Sequence, residues 1–166
     1  MLARKIPTIS SLDIQAVIEQ AGKSPTGRAQ LSLSGELKER EPLQAIINAG
    51  QPESYMRPHK HENPDKTEIV VILQGKVALV YFNDQGQIYQ AEILEVNGST
   101  RVVRTLPRVW HTTVFLREDS IVLSAIQGPY DEGTHKQLAP WAPAEEDERA
   151  GQAYLQSIKE QIQNKL

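Results

Sequence analysis

The sequence predicts an all-β fold, an antiparallel sandwich or barrel with a short helix at each end. Three observations carry this. Between Leu43 and Gln127, apolar, β-branched and aromatic residues fall into eight short runs of strand length. Those runs are separated by turn formers: "AGQPE", "ENPDK", "NDQG", "VNGS" and "REDS", the punctuation of antiparallel sheets. Helical periodicity is confined to the two ends of the chain.

Taken in order, "SSLDIQAVIEQAG" (residues 10–22) reads as a helix. A serine caps it, Leu12, Ile14, Val17 and Ile18 form its apolar stripe, and Gly22 ends it. "KSPTGR" is a turn region. The eight predicted strands are "LQAIIN", "SYMRPHKH", "EIVVILQ", "KVALVYF", "IYQAEIL", "TRVVRTL", "VWHTTVFL" and "SIVLSAIQ". The Pro- and Gly-rich "GPYDEGTHKQLAPWAP" follows as an irregular tail. From Ala144 a second helix begins, with acidic residues at its start, Tyr154, Ile158 and Ile162 on one face, and Lys165 near its end. The expected organisation is one domain over 1–166, with a lead-in over 1–42, a barrel core over 43–127 and a tail and helix over 128–166.

The bulk properties narrow the function. The chain has 166 residues, a net charge of −3 and no block of Lys or Arg. Nothing in this favours nucleic acid or an anionic membrane as partner. There are no cysteines, which excludes disulfides, thiolate metal sites and cysteine nucleophiles. No apolar run has the length of a signal peptide or a membrane span, so the expected location is the cytoplasm. "IVVIL" and "VALVYF" are apolar on both faces. One face fills the barrel, and the other needs cover from the N-terminal segment, the C-terminal helix or a second subunit. A homodimer is the expected assembly.

The chain has four histidines, and two stand two residues apart in "RPHKH". On a strand, alternate residues share a face, so Tyr55, Arg57, His59 and His61 are expected together, with Lys60 opposite. Glu68 opens the next strand and shares its face with Val70 and Ile72. His111, in "LPRVWHTTVFL", lies opposite Trp110. If the sheet closes on itself, three imidazoles and one carboxylate can reach a common interior point. That donor set suits one divalent transition metal ion (Fe, Mn, Ni, Co, Cu or Zn) and suits Ca²⁺ or Mg²⁺ poorly. Arg57 on that face would bind a ligand carboxylate or phosphate, or else make a salt bridge at the rim. His135 has no partner at ligand spacing and reads as a solvated or locally hydrogen-bonded residue. Trp110 and Trp141 read as packing residues, and Tyr130 and Lys136 as weaker site candidates.

These residues resemble the cupin superfamily. Its first motif is, in outline, Gly, His-x-His, a spacer, Glu, six residues and Gly. Here stand His59-Lys60-His61, Glu68 and then Gly75, with a longer spacer that leaves Asp65 as a rival carboxylate. The second motif, Gly…Pro-x-Gly-x-x-His, is matched by Gly98 and His111, while Leu106 and Arg108 stand where Pro and Gly are usual. "SPTGRAQLSL", "SYMRPHKH", "WHTTV", "GPY" and "KQLAPWAPAEED" further resemble the WbuC-type cupin fold metalloproteins, small bacterial proteins associated with O-antigen and polysaccharide gene clusters. The resemblance implies a jelly-roll (double-stranded β-helix) barrel with a bound metal, held by His59, His61, Glu68 and His111.

Three functions fit. The chain binds or acts on a small oxygen-rich ligand, such as a sugar or nucleotide-sugar, in surface-polysaccharide synthesis. Alternatively it is a non-catalytic binding or sensing cupin whose metal is structural or anchors a ligand, or an iron-dependent dioxygenase. For isomerisation a general base is required, and none stands out beyond the ligands unless Tyr55 serves.

Overall fold

The computed structural model describes residues 6–34 and 38–163. Over them the chain runs α1 (Ser11–Lys23), β1 (Arg28–Ser32), β2 (Leu43–Gly50), β3 (His59–Lys60), β4 (Glu68–Gln74), β5 (Lys76–Phe82), β6 (Ile88–Glu95), β7 (Val102–Thr105), β8 (Trp110–Phe115), β9 (Ser120–Gln127), β10 (Gln137–Leu138) and α2 (Glu148–Gln163). The strands form two five-stranded sheets, ordered β1-β2-β9-β4-β7 and β10-β3-β8-β5-β6, antiparallel at every pairing. The all-β jelly roll expected from the sequence is the fold observed.

Strand β5 shows how one sequence serves two cores. All but its first residue are buried. Val77, Leu79 and Tyr81 point between the sheets, where they pack with Val70, Ile72, Leu94, Phe115 and Val122. Ala78, Val80 and Phe82 point outward and pack against Leu155, Ile158 and Ile162 of α2. Each such aliphatic side chain is worth roughly 1.5–3 kcal/mol when removed from water. The C-terminal helix thus covers the outer face of β5. The outer face of β4 is different, with Ile69 and Leu73 exposed.

Helix α1 begins at a capping box. Asp13 N–H donates to the Ser10 hydroxyl at 3.3 Å, and Ser10 N–H donates to the Asp13 carboxylate at 2.7 Å. Val17 and Ala21 are buried against Ile47, Ala49 and Ile121, with Ile14 and Ile18 alongside. Leu12 was expected in that stripe but is 73% exposed. It lies five residues before Val17 and therefore points about 140° away from it. The helix also runs one residue past Gly22, and Ser24 caps it.

Two strands lie outside the predicted barrel limits. Strand β1 falls in the lead-in and pairs with β2, Arg28 opposite Gly50. Strand β10 falls in the tail and pairs with β3. Conversely, the predicted strand "SYMRPHKH" shrinks to His59–Lys60, because Pro58 has no N–H to give a ladder. The turn from β4 into β5 needs Gly75. Its φ is +75°, and a Cβ there would run into Ser120. Helix α2 starts at Glu148 rather than Ala144, and Lys165 lies outside the described residues.

Candidate metal centre

The site is built on the inner faces of both sheets. His59 on β3 and His111 on β8 are directly opposed cross-strand neighbours. His61 follows β3 immediately. Glu68 comes from the other sheet, where it opens β4. All three histidines are buried, and their ligand nitrogens lie within 4.8 Å of one another. Ring centroids are 4.6–5.3 Å apart. Glu68 Oε2 stands 3.3 Å from His111 Nε2 and 3.5 Å from His61 Nε2.

Each ring is oriented by its other nitrogen. His59 Nδ1 lies 3.2 Å from the Arg57 carbonyl, His61 Nδ1 2.7 Å from that of His135, and His111 Nδ1 2.8 Å from that of Val109. A carbonyl can only accept, so in each neutral ring the proton sits on Nδ1 and Nε2 keeps a lone pair. The Glu68 carboxylate is also an acceptor. The structure therefore gathers lone pairs with no donor between them, and His61 Nε2 is buried without a hydrogen-bond partner. Such an unmet acceptor costs roughly 1–3 kcal/mol. A shared cation removes that cost, and the donor set is chemically right for a divalent transition metal.

The electrostatics agree with this. Burial, and then the charge of Lys136 and the neighbouring imidazoles, hold His59 well below the ordinary histidine range, so its ring is neutral.

The cavity at this centre holds about 60 Å³. It adjoins a vestibule of about 510 Å³, and the two share Gln30, Asn48, Met56 and Lys136 as wall. Burial pushes His135, which also lines the inner cavity, down to about 4.

The structure brings His59, His61, Glu68 and His111 together, but not Tyr55 or Arg57. Tyr55 points into the cluster under α2, and its hydroxyl donates to the Pro143 carbonyl at 2.9 Å. Burial raises its proton affinity, which makes it no base. The Arg57 guanidinium donates to the Ala139 carbonyl at 2.7 and 3.0 Å and lines only the vestibule. Asp65 is exposed and paired with Arg108 at 2.8 Å. Trp110 and Trp141 pack edge to face, 6.0 Å apart, while Tyr130 sits against His135 and under the Lys38 ammonium. His135, expected as a solvated or locally hydrogen-bonded residue, has its ring 5.5 Å from His61 with a buried, unpartnered Nδ1. Sequence reasoning underrated His135 and Lys136 and did not select Arg28, which lines the vestibule. The only signal for His135 and Lys136 was the tail "THKQLAPWAP", which returns to the barrel at the two-residue β10.

A family model described as a domain of unknown function (DUF6016) matches residues 9–94. No curated protein matches the sequence. Among solved structures, the chain is similar to KdgF from Halomonas sp., with a TM-score of 0.50 and 17% identity over 66% of this chain and 86% of that one. Oxalate oxidase in complex with the substrate analogue glycolate gives 0.51 and 12%, over 70% of this chain and 57% of the oxidase. Oxalate decarboxylase from Bacillus subtilis at pH 4.6 gives 0.51 and 14%, over 67% of this chain and 27% of the decarboxylase. These are cupin proteins, and the likeness is one of fold. Among the described residues no helix is long and apolar enough to cross a membrane.

Proposed function

Since this chain belongs to the DUF6016 family, whose description assigns no activity, its function rests on the site, and we propose that His59, His61, His111 and Glu68 hold one divalent transition metal ion to which a small oxygen-rich ligand binds. One observation carries this reading: three Nε2 lone pairs and a carboxylate converge with no donor among them. Such an ion, when bound, supplies Lewis acidity toward a ligand oxygen. The protein supplies the rest. Three backbone carbonyls fix the ring orientations, Glu68 adds negative charge, and the narrow cavity adjoins the vestibule.

The WbuC-type resemblance adds a sugar or nucleotide-sugar of surface-polysaccharide synthesis as the ligand and the cytoplasm as the location. It is supported by the sequence motifs alone, "SYMRPHKH", "WHTTV" and "KQLAPWAPAEED" in this order. A homodimer belongs to the same proposal, supported by the exposed Ile69 and Leu73 on β4, and sedimentation velocity tests it.

A second reading, catalysis, is favoured by His135. Its unpartnered Nδ1 lies in the wall beside the centre, and burial keeps the ring neutral at physiological pH, free to hydrogen-bond a ligand there, although its low proton affinity makes it a weak base. Anaerobic purification with elemental analysis tests the metal reading. One ion per chain is expected, and metal-free protein that refuses every ion in the series sinks it. A ligand screen with product analysis then separates binding from turnover.

A further inference from the structure

The cationic groups around the vestibule, whose wall also carries Glu145 and Glu146, are not equivalent. The Arg28 guanidinium is committed to the Glu145 carboxylate and to the Tyr55 carbonyl. The Arg57 guanidinium is committed to the Ala139 carbonyl. Lys136 has neither a hydrogen bond nor an ion pair among the described residues, and it lines both the inner cavity and the vestibule. The backbone on either side of it is fixed. The His135 carbonyl accepts from His61 Nδ1, and Gln137 pairs with Lys60 across β10 and β3. An uncommitted ammonium is thus held on an anchored segment, at the junction between the three-histidine centre and the open space. It lines the same inner cavity as His59 and Glu68.

We propose that Lys136 is the anion-receiving residue of this site, so that the ligand is a small molecule with an oxygen for the three-histidine centre and a carboxylate or phosphate for the Lys136 ammonium. The inference rests on the metal reading above and adds the ligand's charge. A free sugar leaves the ammonium without a partner, whereas an acid satisfies both ends. The vestibule, at about 510 Å³, accommodates the body of such a molecule. An ammonium acts as a point charge and does not by itself select planar from tetrahedral anions.

The test compares glycerate, glycerol 3-phosphate and glycerol, which share hydroxyl oxygens and differ in charge. The full chain is loaded with metal, its metal content is measured, and each compound is titrated by ligand-detected NMR. At least one acid is expected to bind about tenfold or more tightly than glycerol, a difference of about 1.4 kcal/mol. Preference for glycerate alone identifies a carboxylate, preference for glycerol 3-phosphate alone a phosphate, and equal preference a point charge; each supports the proposal. Lys136→Gln should bring both acids to the level of glycerol with metal content unchanged. Lys136→Arg should restore most of the preference, which a merely structural role would not predict. Full metal content with no preference for either acid overturns this inference alone, as does a preference that survives in Lys136→Gln. A parent protein that takes no metal overturns the metal reading, and this inference with it.

Discussion

Residues 55–61 contain two pairs that strand alternation would put side by side, Tyr55 with Arg57 and His59 with His61. The structure sends them to different parts of the molecule. His59 sits on β3 opposite His111, and His61 follows it into the cavity. Tyr55, on the other side of Pro58, is buried beneath α2, where Gly151 leaves room for its ring and a Cβ would come within 2.6 Å of it. Both pairs are buried to a similar degree in their lead members, 4% exposure for His59 and 7% for Tyr55. Burial therefore does not distinguish a site residue from a packing residue here. What distinguishes them is the partner. The rings of His59 and His61 leave Nε2 unused, whereas the polar groups of Tyr55 and Arg57 are spent on the Pro143 and Ala139 carbonyls.

The largest expected effect separates these pairs. Tyr55→Ala removes a ring packed against Gly151 and Tyr154, and should cost about 3–5 kcal/mol of stability. Metal content per folded chain should stay at the parent level. His59→Ala, His61→Ala or His111→Ala should do the reverse: metal binding should fall by more than the ~10–100-fold typical of losing an outer hydrogen-bond partner, with the fold retained. Denaturant melts and elemental analysis on the same samples measure both. If Tyr55→Ala loses metal while remaining folded, the division between the pairs is wrong.

The division also marks what was legible beforehand. Parity from a strand is valid only while the chain stays in a strand. It placed His111 opposite Trp110 correctly, because β8 runs unbroken from Trp110 to Phe115. It failed for Tyr55 because the ladder begins only after Pro58. The spacing from Glu68 to Gly75 was legible because it is a local requirement, one strand and a turn with positive φ. Strand β10 and the placement of His135 and Lys136 were not. They depend on pairing between Gln137 and Lys60, a long-range contact that two residues of strand pattern cannot announce. Arg108 is a mixed case. It stands where the cupin pattern has glycine and keeps the glycine-like conformation, at φ 63°.

A second comparison sharpens the ligand set, between Glu68 and its rival carboxylate in the long spacer, Asp65. Glu68→Gln keeps the shape of the side chain and loses its charge, so metal affinity should fall, though less than on loss of a histidine. Asp65→Asn should leave metal affinity at the parent value, since Asp65 is exposed and engaged with Arg108. Metal titration decides between them: loss of metal from Asp65→Asn with retention in Glu68→Gln would reverse the assignment.

Acid should weaken the centre and the metal-free fold together. His59 is held below its ordinary range, and His135 is lowered to about 4. Below about pH 6.5 the unfolded chain therefore binds protons that the folded chain does not. Stability contributed by these rings is complete above that pH and declines as pH falls, for His135 down to about 4. Thermal melts of metal-free protein should thus show a midpoint falling steadily from pH 7 to pH 4.5, with a shallower fall in His135→Ala. A midpoint that rises over that interval would contradict the burial of neutral imidazoles. Metal retention should fall in the same direction, since protons compete for the same lone pairs.

The smallest effect tests whether the turn before β8 is a strained substitute for glycine. A non-glycine residue with φ near +60° is disfavoured by about 1–2 kcal/mol, and Arg108 meets that cost with two bonds. Its N–H donates to the His61 carbonyl at 3.1 Å, and its Nε donates to Asp65 at 2.8 Å. The first bond belongs to the backbone and survives substitution. The second is an exposed ion pair, which contributes little and is screened by salt. Arg108→Gly should therefore raise stability slightly, by up to about 1 kcal/mol, with the gain larger at high salt, where the parent has already lost most of its ion pair. Arg108→Ala keeps the strain and loses the pair, so it should lie below the parent at low salt and approach it at high salt. Metal content should be unchanged in both, because the backbone bond still holds the turn to His61. Stability of Arg108→Gly below that of Arg108→Ala would mean that the left-handed conformation carries no strain here.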